Sequence, residues 1–437
     1  MITLGSLASG YGGLEMGVGM ATGATTAWLC ENDVAPSHLL AMRHPHLHNY
    51  GDIKALEWAE QSVDILTAGY PCTPFSGAGK RGGTEDPRHL WPWIAQGIAR
   101  SRPPTVLLEN VRGHLSLGWD TVLCDLHRLG YDVRWTLLRA ADVGAAHNRT
   151  RLFAVAADRD AHRWDAPTGW PVARITDETL NAPHDGLFGA HPLPLAENGH
   201  VPMWPAGLMI GGVVWEQDAL LGTAQYELLP TPRTSDTNGA GEHGTGGLDL
   251  RTAVDMLPTP TARNWKGTGP HDVDKDTGPS LSALPLLLPT PCAHDSGNTP
   301  EEHLRKKPGR TVITSLQVLA DHDLLSEAAL TLPTTDPQTK GERWGRYADA
   351  VARCEALTRP APDPTLPSGK GGAHRLSPAF VEWLMMLPAG WVTDPDLWTH
   401  LTAGAARNAQ LKLLGNGCVT AQAAAAWRHL TAGLLVV

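Results

Sequence analysis

Over the first 160 residues, short apolar runs alternate with amphipathic stretches, and beyond them the alternation fades. ITLGSL, TTAWLCE, VDILTAGYP, TVLLENV, VRWTLL and RLFAVAA have the length and continuity of buried strands. Between them, PSHLLAMRH and LWPWIAQGIARSR place apolar positions at helical spacing. Strands separated by helices predict an α/β fold with a parallel sheet and crossover connections. Ligands bind such sheets beyond the carboxyl ends of the strands, so the loops after each strand are where chemistry is sought.

From 161 to 373 the texture is Pro, Gly, Thr and His with weak periodicity. An internal repeat emerges there: LLPTPRTSDTNG, MLPTPTARNWKG and LLPTPCAHDSGN begin at 228, 256 and 287, and a degenerate copy, TLPTTDPQTKG, begins at 331. The first three copies place Asp236, Asn264 and Asp295 at the same offset after their second proline. A recurring polar position beside recurring prolines predicts a repeated structural unit. From 374 the apolar periodicity returns, and Val419 to Leu430 reads as an alanine-rich helix after a Gly-Asn-Gly turn. The expected organisation is a domain over 1–160, a second over 161–373 and a C-terminal return, 374–437, to the first.

Composition narrows the class. At 437 residues the chain exceeds one compact core, and 42% hydrophobic with 18% charged residues suits a folded soluble protein. No apolar run approaches a bilayer span, and the N-terminus lacks a secretory pattern, so an intracellular protein is expected. Six cysteines without a CxxC pair argue against a disulfide framework or a cysteine-rich zinc site. His44, His46 and His48 alternate, but no carboxylate or cysteine partner is evident, so surface histidines and no metal are expected. A net charge of −10 counts mildly against a nucleic-acid partner, although a local basic face matters more than the total.

The chemistry-bearing residues fall at the predicted strand ends. Ser9, Gly10, Tyr11, Gly12 and Gly13 form a glycine-rich turn where bare backbone can approach a ligand. Glu31 ends the second strand, and Asp52 with Ile53 follows the third; carboxylates so placed bind nucleoside hydroxyls. Either alone reads as a helix cap or a solvated loop residue. Together with the turn they favour an adenosine-containing cofactor. Pro71 and Cys72 stand in AGYPCTPFSGAGKRGG, a Pro- and Gly-rich loop in which a thiol gains the access and thiolate character of a nucleophile. Glu109 and Asn110 close the strand LLENV, where partial burial raises a carboxyl pKa. Arg149 and Arg151 lie two apart, on one side of an extended segment, suited to an anionic substrate or to orienting Glu109.

In that order and spacing, SGYGG, Glu31, GDI, PCxPFS, ENV, RxR, RLSPAFVEWLM and LLGNG resemble the DNA (cytosine-5-)-methyltransferases of bacterial or phage type. The resemblance covers 1–157 and 374–430, and the divergent segment lies where that family has its target-recognition domain. It implies a Rossmann-like, S-adenosylmethionine-dependent core with a smaller, irregular recognition domain. It further implies a cytosine flipped from duplex DNA, a covalent adduct through Cys72, and Glu109 engaging the ring. Arg149 and Arg151 support the base, the loop from Ser76 to Arg88 closes over it, and Asn416 lies near the donor's amino-acid end. A monomer in a bacterial cytoplasm is expected, alone or with a cognate restriction endonuclease. Three departures bear on donor affinity and loop closure: Ala8 for phenylalanine, Thr73 for glutamine and His147 for glutamine. An RNA methyltransferase with the same core, a DNA-binding module without catalysis and a nicotinamide oxidoreductase are the alternatives. Retention of Cys72, Glu109, Arg149, Arg151 and Asn416 favours catalysis.

Overall fold

The computed structural model describes residues 1–58, 61–70, 90–116, 118–168, 171, 173–175, 204–219, 320, 344, 347–367 and 374–437. Every predicted strand of the first 160 residues forms. They are β1 (Thr3–Leu7), β2 (Thr25–Cys30), β4 (Ile65–Ala68), β5 (Thr105–Val111), β6 (Tyr131–Arg139) and β7 (Thr150–Asp158), with a short β3 (His48–Asn49). Helices α1 (Gly13–Thr22), α2 (Val34–Arg43), α3 (Trp91–Ser101) and α4 (Trp119–Arg128) connect them.

The sheet runs β3-β2-β1-β4-β5-β7-β6, with β1 to β5 parallel. β7 departs from the all-parallel expectation and runs antiparallel to both β5 and β6. Its sequence could not reveal direction, because a strand buried on both faces reads as one apolar run either way. Alternate residues of the strands feed opposite cores. Leu66, Val106 and Leu108 pack with Ile94 and Ile98 of α3 and Leu123 of α4. Ile65, Leu107 and Phe153 pack with Leu14 and Val18 of α1 and with Ala423, Ala426 and Trp427. This two-residue alternation makes a three-layer α/β sandwich of the Rossmann-like kind.

Past β6 the sheet continues, antiparallel, through β10 (Ala206–Ile210), β11 (Val213–Glu216) and β9 (Ala173–Arg174). β8 (His162–Arg163) pairs with β14 (Leu435–Val436). The sheet thus takes up strands from the stretch assigned by sequence to a separate unit. The LPTP repeats, at 228–239, 256–267, 287–298 and 331–341, lie outside the described residues.

The C-terminal return supplies β12 (Thr365–Pro367), β13 (His374–Leu376), α6 (Pro378–Leu384), α7 (Ala403–Asn416) and α8 (Thr420–Leu430), preceded by α5 (Ala348–Leu357). α8 lies on α1, as its alanine-rich sequence allows. The expected Gly-Asn-Gly turn differs in one respect: Gly415 and Asn416 complete the last turn of α7, and Gly417 follows as its cap. Residues of α5, α6 and α7 form a third apolar cluster with Tyr11, Leu39 and Leu40 of the first part. Among the described residues no helix is long and apolar enough to cross a membrane.

Candidate active site

A cavity of about 700 Å³ opens at the carboxyl edge of the parallel strands, and the sequence-predicted residues converge on it. Ser9, Gly10, Tyr11 and Gly13 line it from the turn after β1, with Gly12 behind them at φ +85°. Glu31 enters from β2, Asp52 and Ile53 from beyond β3, Glu109 and Asn110 from β5, Arg149 and Arg151 from β7, and Asn416 from α7. Pro71 and Cys72, and the rest of their loop to 89, lie outside the described residues.

Strand order spreads these groups along the edge. Glu31 and Glu109 belong to strands three steps apart, about 14 Å at the usual strand spacing. At the Glu31 end the carboxylate accepts from Gly10 N at 2.8 Å and Asp33 N at 2.9 Å, which ties the loop after β2 to the glycine turn. Burial pushes its pKa up, and the backbone donors partly oppose that. Asp52 caps the short turn Ile53–Ala55 by accepting from Lys54 N at 3.0 Å. Ala8, at the start of the turn, adopts a left-handed φ of +51°, a conformation that costs an alanine about 1 kcal/mol.

Tyr11 is a structural wedge. Its ring fills the space where a Cβ on Gly417 would lie and presses against Gly13, and its hydroxyl donates to Cys418 O at 2.5 Å. Only glycines tolerate that approach. Trp391 donates from its indole to Tyr11 O at 2.9 Å. Its loop is held in turn by Glu382, which is buried and accepts from Gly390 N, Val392 N and Thr393 N. Trp391 and Glu382 escaped the sequence reading as site residues, because they act on backbone rather than on a ligand. The only hint was their place in RLSPAFVEWLM and PAGW.

At the other end Arg151 Nε lies 3.0 Å from Glu109 Oε1. The antiparallel course of β7 makes this possible. It brings the start of β7 to the carboxyl edge, where Arg151 pairs with Val111 and sits diagonally from Glu109 on the same face. Burial raises the Glu109 pKa, while Arg151 and then Arg149 pull it back. Arg149 does not share this role directly. It is buried and donates to Gly415 O at 3.1 Å and Gly417 O at 2.7 Å, securing the turn beyond Asn416. Burial lowers its pKa to about 10, which leaves it charged at neutral pH. Asn110 points its amide to the opposite face and donates to Tyr70 O at 3.2 Å, just before the Pro71–Cys72 loop. His147 is buried, with its pKa lowered to about 3 by burial. Its Nε2 donates to Leu384 O at 3.0 Å, since a carbonyl only accepts, and so fastens the approach to β7 onto α6.

The carboxylates and backbone amides at one end suit a nucleoside, and the cavity volume suits a small cofactor. Among the described residues no three His, Cys, Asp or Glu side chains gather as metal ligands.

Residues 2–187 match the family model for C-5 cytosine-specific DNA methylase. Over 156 residues this chain is 32% identical to the Type II methyltransferase M.NgoMIV of Neisseria gonorrhoeae, covering 34% of this chain and 50% of that relative. It is 37% identical over 150 residues to the Type II methyltransferase M.NaeI of Lentzea aerocolonigenes, covering 32% of this chain and 36% of that one. The chain thus spans half or less of the length of these relatives. Glu31, Asp52, Glu109, Arg149 and Arg151 all fall within the matched residues 2–187, whereas Trp391 and Asn416 do not.

Proposed function

We propose that the chain is a DNA cytosine-5 methyltransferase, moving a methyl group from S-adenosylmethionine to C5 of a cytosine flipped out of duplex DNA. The observation that carries this reading is one cavity with Glu31 and Asp52 at one end and the Glu109–Arg151 pair at the other. Glu31 and Asp52 would hold the adenosine moiety, and the glycine turn with Asn416 the amino-acid end. The bound donor supplies an electrophilic methyl group.

The chain's own residues prepare the base. The Cys72 thiolate adds to C6, and the electron pair displaced from the ring double bond moves toward C5. Glu109, its proton held more firmly by burial, donates that proton to N3. Arg151 keeps the carboxyl in place and balances its charge once the proton has gone. After methylation, loss of the C5 proton to a base restores the ring double bond and expels the thiolate, while N3 returns its proton to the Glu109 carboxylate. Extrusion of the target from the stack precedes these steps, because C6 is inaccessible within a duplex.

The segment 161–373 takes the role of target recognition in this reading, with Arg233, Arg263, Asn264 and Lys266 of the repeats facing DNA. Deleting one whole repeat tests that role, and an unchanged target sequence and affinity would count against it. Lys80, Arg81 and Arg88 of the Cys72 loop suit phosphates. The setting is a bacterial cytoplasm, with a monomeric enzyme acting alone or beside a restriction endonuclease.

The test is transfer of labelled methyl groups to unmethylated duplex DNA and, in parallel, to tRNA, with Cys72→Ala alongside. Label on C5 of duplex cytosine, lost in the variant, supports the proposal. Label on tRNA alone moves it to RNA, and no donor-dependent label on either acceptor refutes it.

A further inference from the structure

Asn49, the last residue of β3, meets the backbone of two loops that line the cavity. Its Oδ1 accepts from Glu31 N at 2.9 Å and from Gly51 N at 3.1 Å. Its Nδ2 donates to Glu31 O at 3.1 Å. One side chain therefore grips both faces of the Glu31 peptide and, with its remaining acceptor capacity, the residue just before Asp52. Gly51 needs this fixing. It turns at φ +75°, and its carbonyl accepts from Cys30 Sγ at 3.2 Å, the neighbour of Glu31 on the other loop.

The grip extends further through Glu31. The carboxylate whose backbone Asn49 holds reaches Gly10 N, so loops after β1, β2 and β3 are fastened in series. Main-chain groups at strand ends have lost their ladder partners and need others. A water would satisfy them equally well but would not hold Glu31 and Asp52 at a fixed separation.

We propose that Asn49 is a positioning residue for the nucleoside end of the donor site, setting the spacing of the Glu31 and Asp52 carboxylates without touching the ligand. This rests on the reading of the cavity as a donor site. Loss of three hydrogen bonds of ordinary net strength, with part of their effect recovered by water, corresponds to about a tenfold change in affinity.

The experiment is titration calorimetry of the full chain with S-adenosylhomocysteine and with adenosine, comparing native protein with Asn49→Ala and Asn49→Asp. Duplex-DNA affinity and kcat at saturating donor are measured beside it. The expected result for Asn49→Ala is about a tenfold weaker binding of both probes, with kcat and DNA affinity within twofold of native. Asn49→Asp keeps both acceptor bonds but turns an oxygen toward the Glu31 carbonyl in place of the donor, so it too should bind both probes more weakly than native, and it serves alone if the alanine variant does not fold. Parallel loss of probe binding, kcat and DNA affinity would mark a general structural role and overturn the inference. Native-like probe binding in the variants would overturn it while leaving the donor reading intact. Failure of the native chain to bind either probe overturns the donor reading and this inference together.

Discussion

The Glu31 end of the cavity is assembled mainly from hydrogen bonds to backbone. Glu31 accepts from Gly10 and Asp33, Trp391 donates to the carbonyl of Tyr11, and Tyr11 donates to that of Cys418. At the Glu109 end two ionisable side chains, largely buried, face each other, with Arg149 behind them. The first arrangement holds a shape. The second holds a charge balance in which a proton on Glu109 costs little and its loss is tolerated. In the proposed reading, binding and chemistry take separate parts of one cavity, and substitutions at the two ends should fail in different ways.

The largest expected effect is at Glu109. Glu109→Gln keeps the shape but supplies no transferable proton, so kcat should fall by about 10²–10⁴-fold while donor affinity stays within about twofold. Steady-state kinetics with calorimetric donor binding check this; a loss confined to donor affinity would erase the contrast between the ends. Arg151→Ala comes next, with a fall in kcat of about 10–100-fold. Arg151 is the largest influence opposing the burial of Glu109, so its removal raises the Glu109 pKa further. The proposed chemistry requires the protonated acid, hence the falling, alkaline limb of the kcat profile should move to higher pH in the variant. A limb that stays in place or moves to lower pH would show that Arg151 does not govern this proton.

A smaller effect concerns Glu15, beneath the glycine turn. It is buried among Ser6 and Thr67, Thr67 Oγ1 donates to it at 3.2 Å, and burial raises its pKa above the ordinary 4.5. The folded chain keeps this proton at pH values where the unfolded chain has released it. Glu15 therefore contributes stability below pH 4.5, and that contribution is lost as pH rises through its folded pKa. Relative to Glu15→Gln, native stability should fall by about 1.4 kcal/mol per pH unit across that window and then level off. Urea unfolding of both proteins from pH 4 upward tests this; parallel curves would show that Glu15 ionises freely in the fold.

The elements of the core were legible because each strand and helix carries its own period, and the places of Glu31 and Glu109 on the cavity wall because each stands at the carboxyl end of a strand. What stayed hidden depended on partners distant in sequence. The direction of β7 is absent from RLFAVAA, yet it places Arg151 beside Glu109. Arg149 looked equivalent to Arg151, and only the position of α7 shows it bonded to Gly415 and Gly417. β9, β10 and β11 are too short and too isolated in a Pro- and Gly-rich stretch to signal a sheet edge. Asn49 stands directly before YGDI without announcing that its amide bonds main chain 18 residues earlier.

The central claim, covalent methyl transfer to cytosine C5 through Cys72, is tested most directly with duplex DNA in which the target cytosines carry fluorine at C5. After methylation no proton remains at C5 to be lost, so the thiolate cannot be expelled and the adduct should persist. The account predicts a protein–DNA complex that survives denaturing electrophoresis, forms only with S-adenosylmethionine, maps to Cys72 by peptide mass and is absent from Cys72→Ala. Methylation of ordinary duplex DNA without such a complex, or an adduct mapped to another residue, would contradict it.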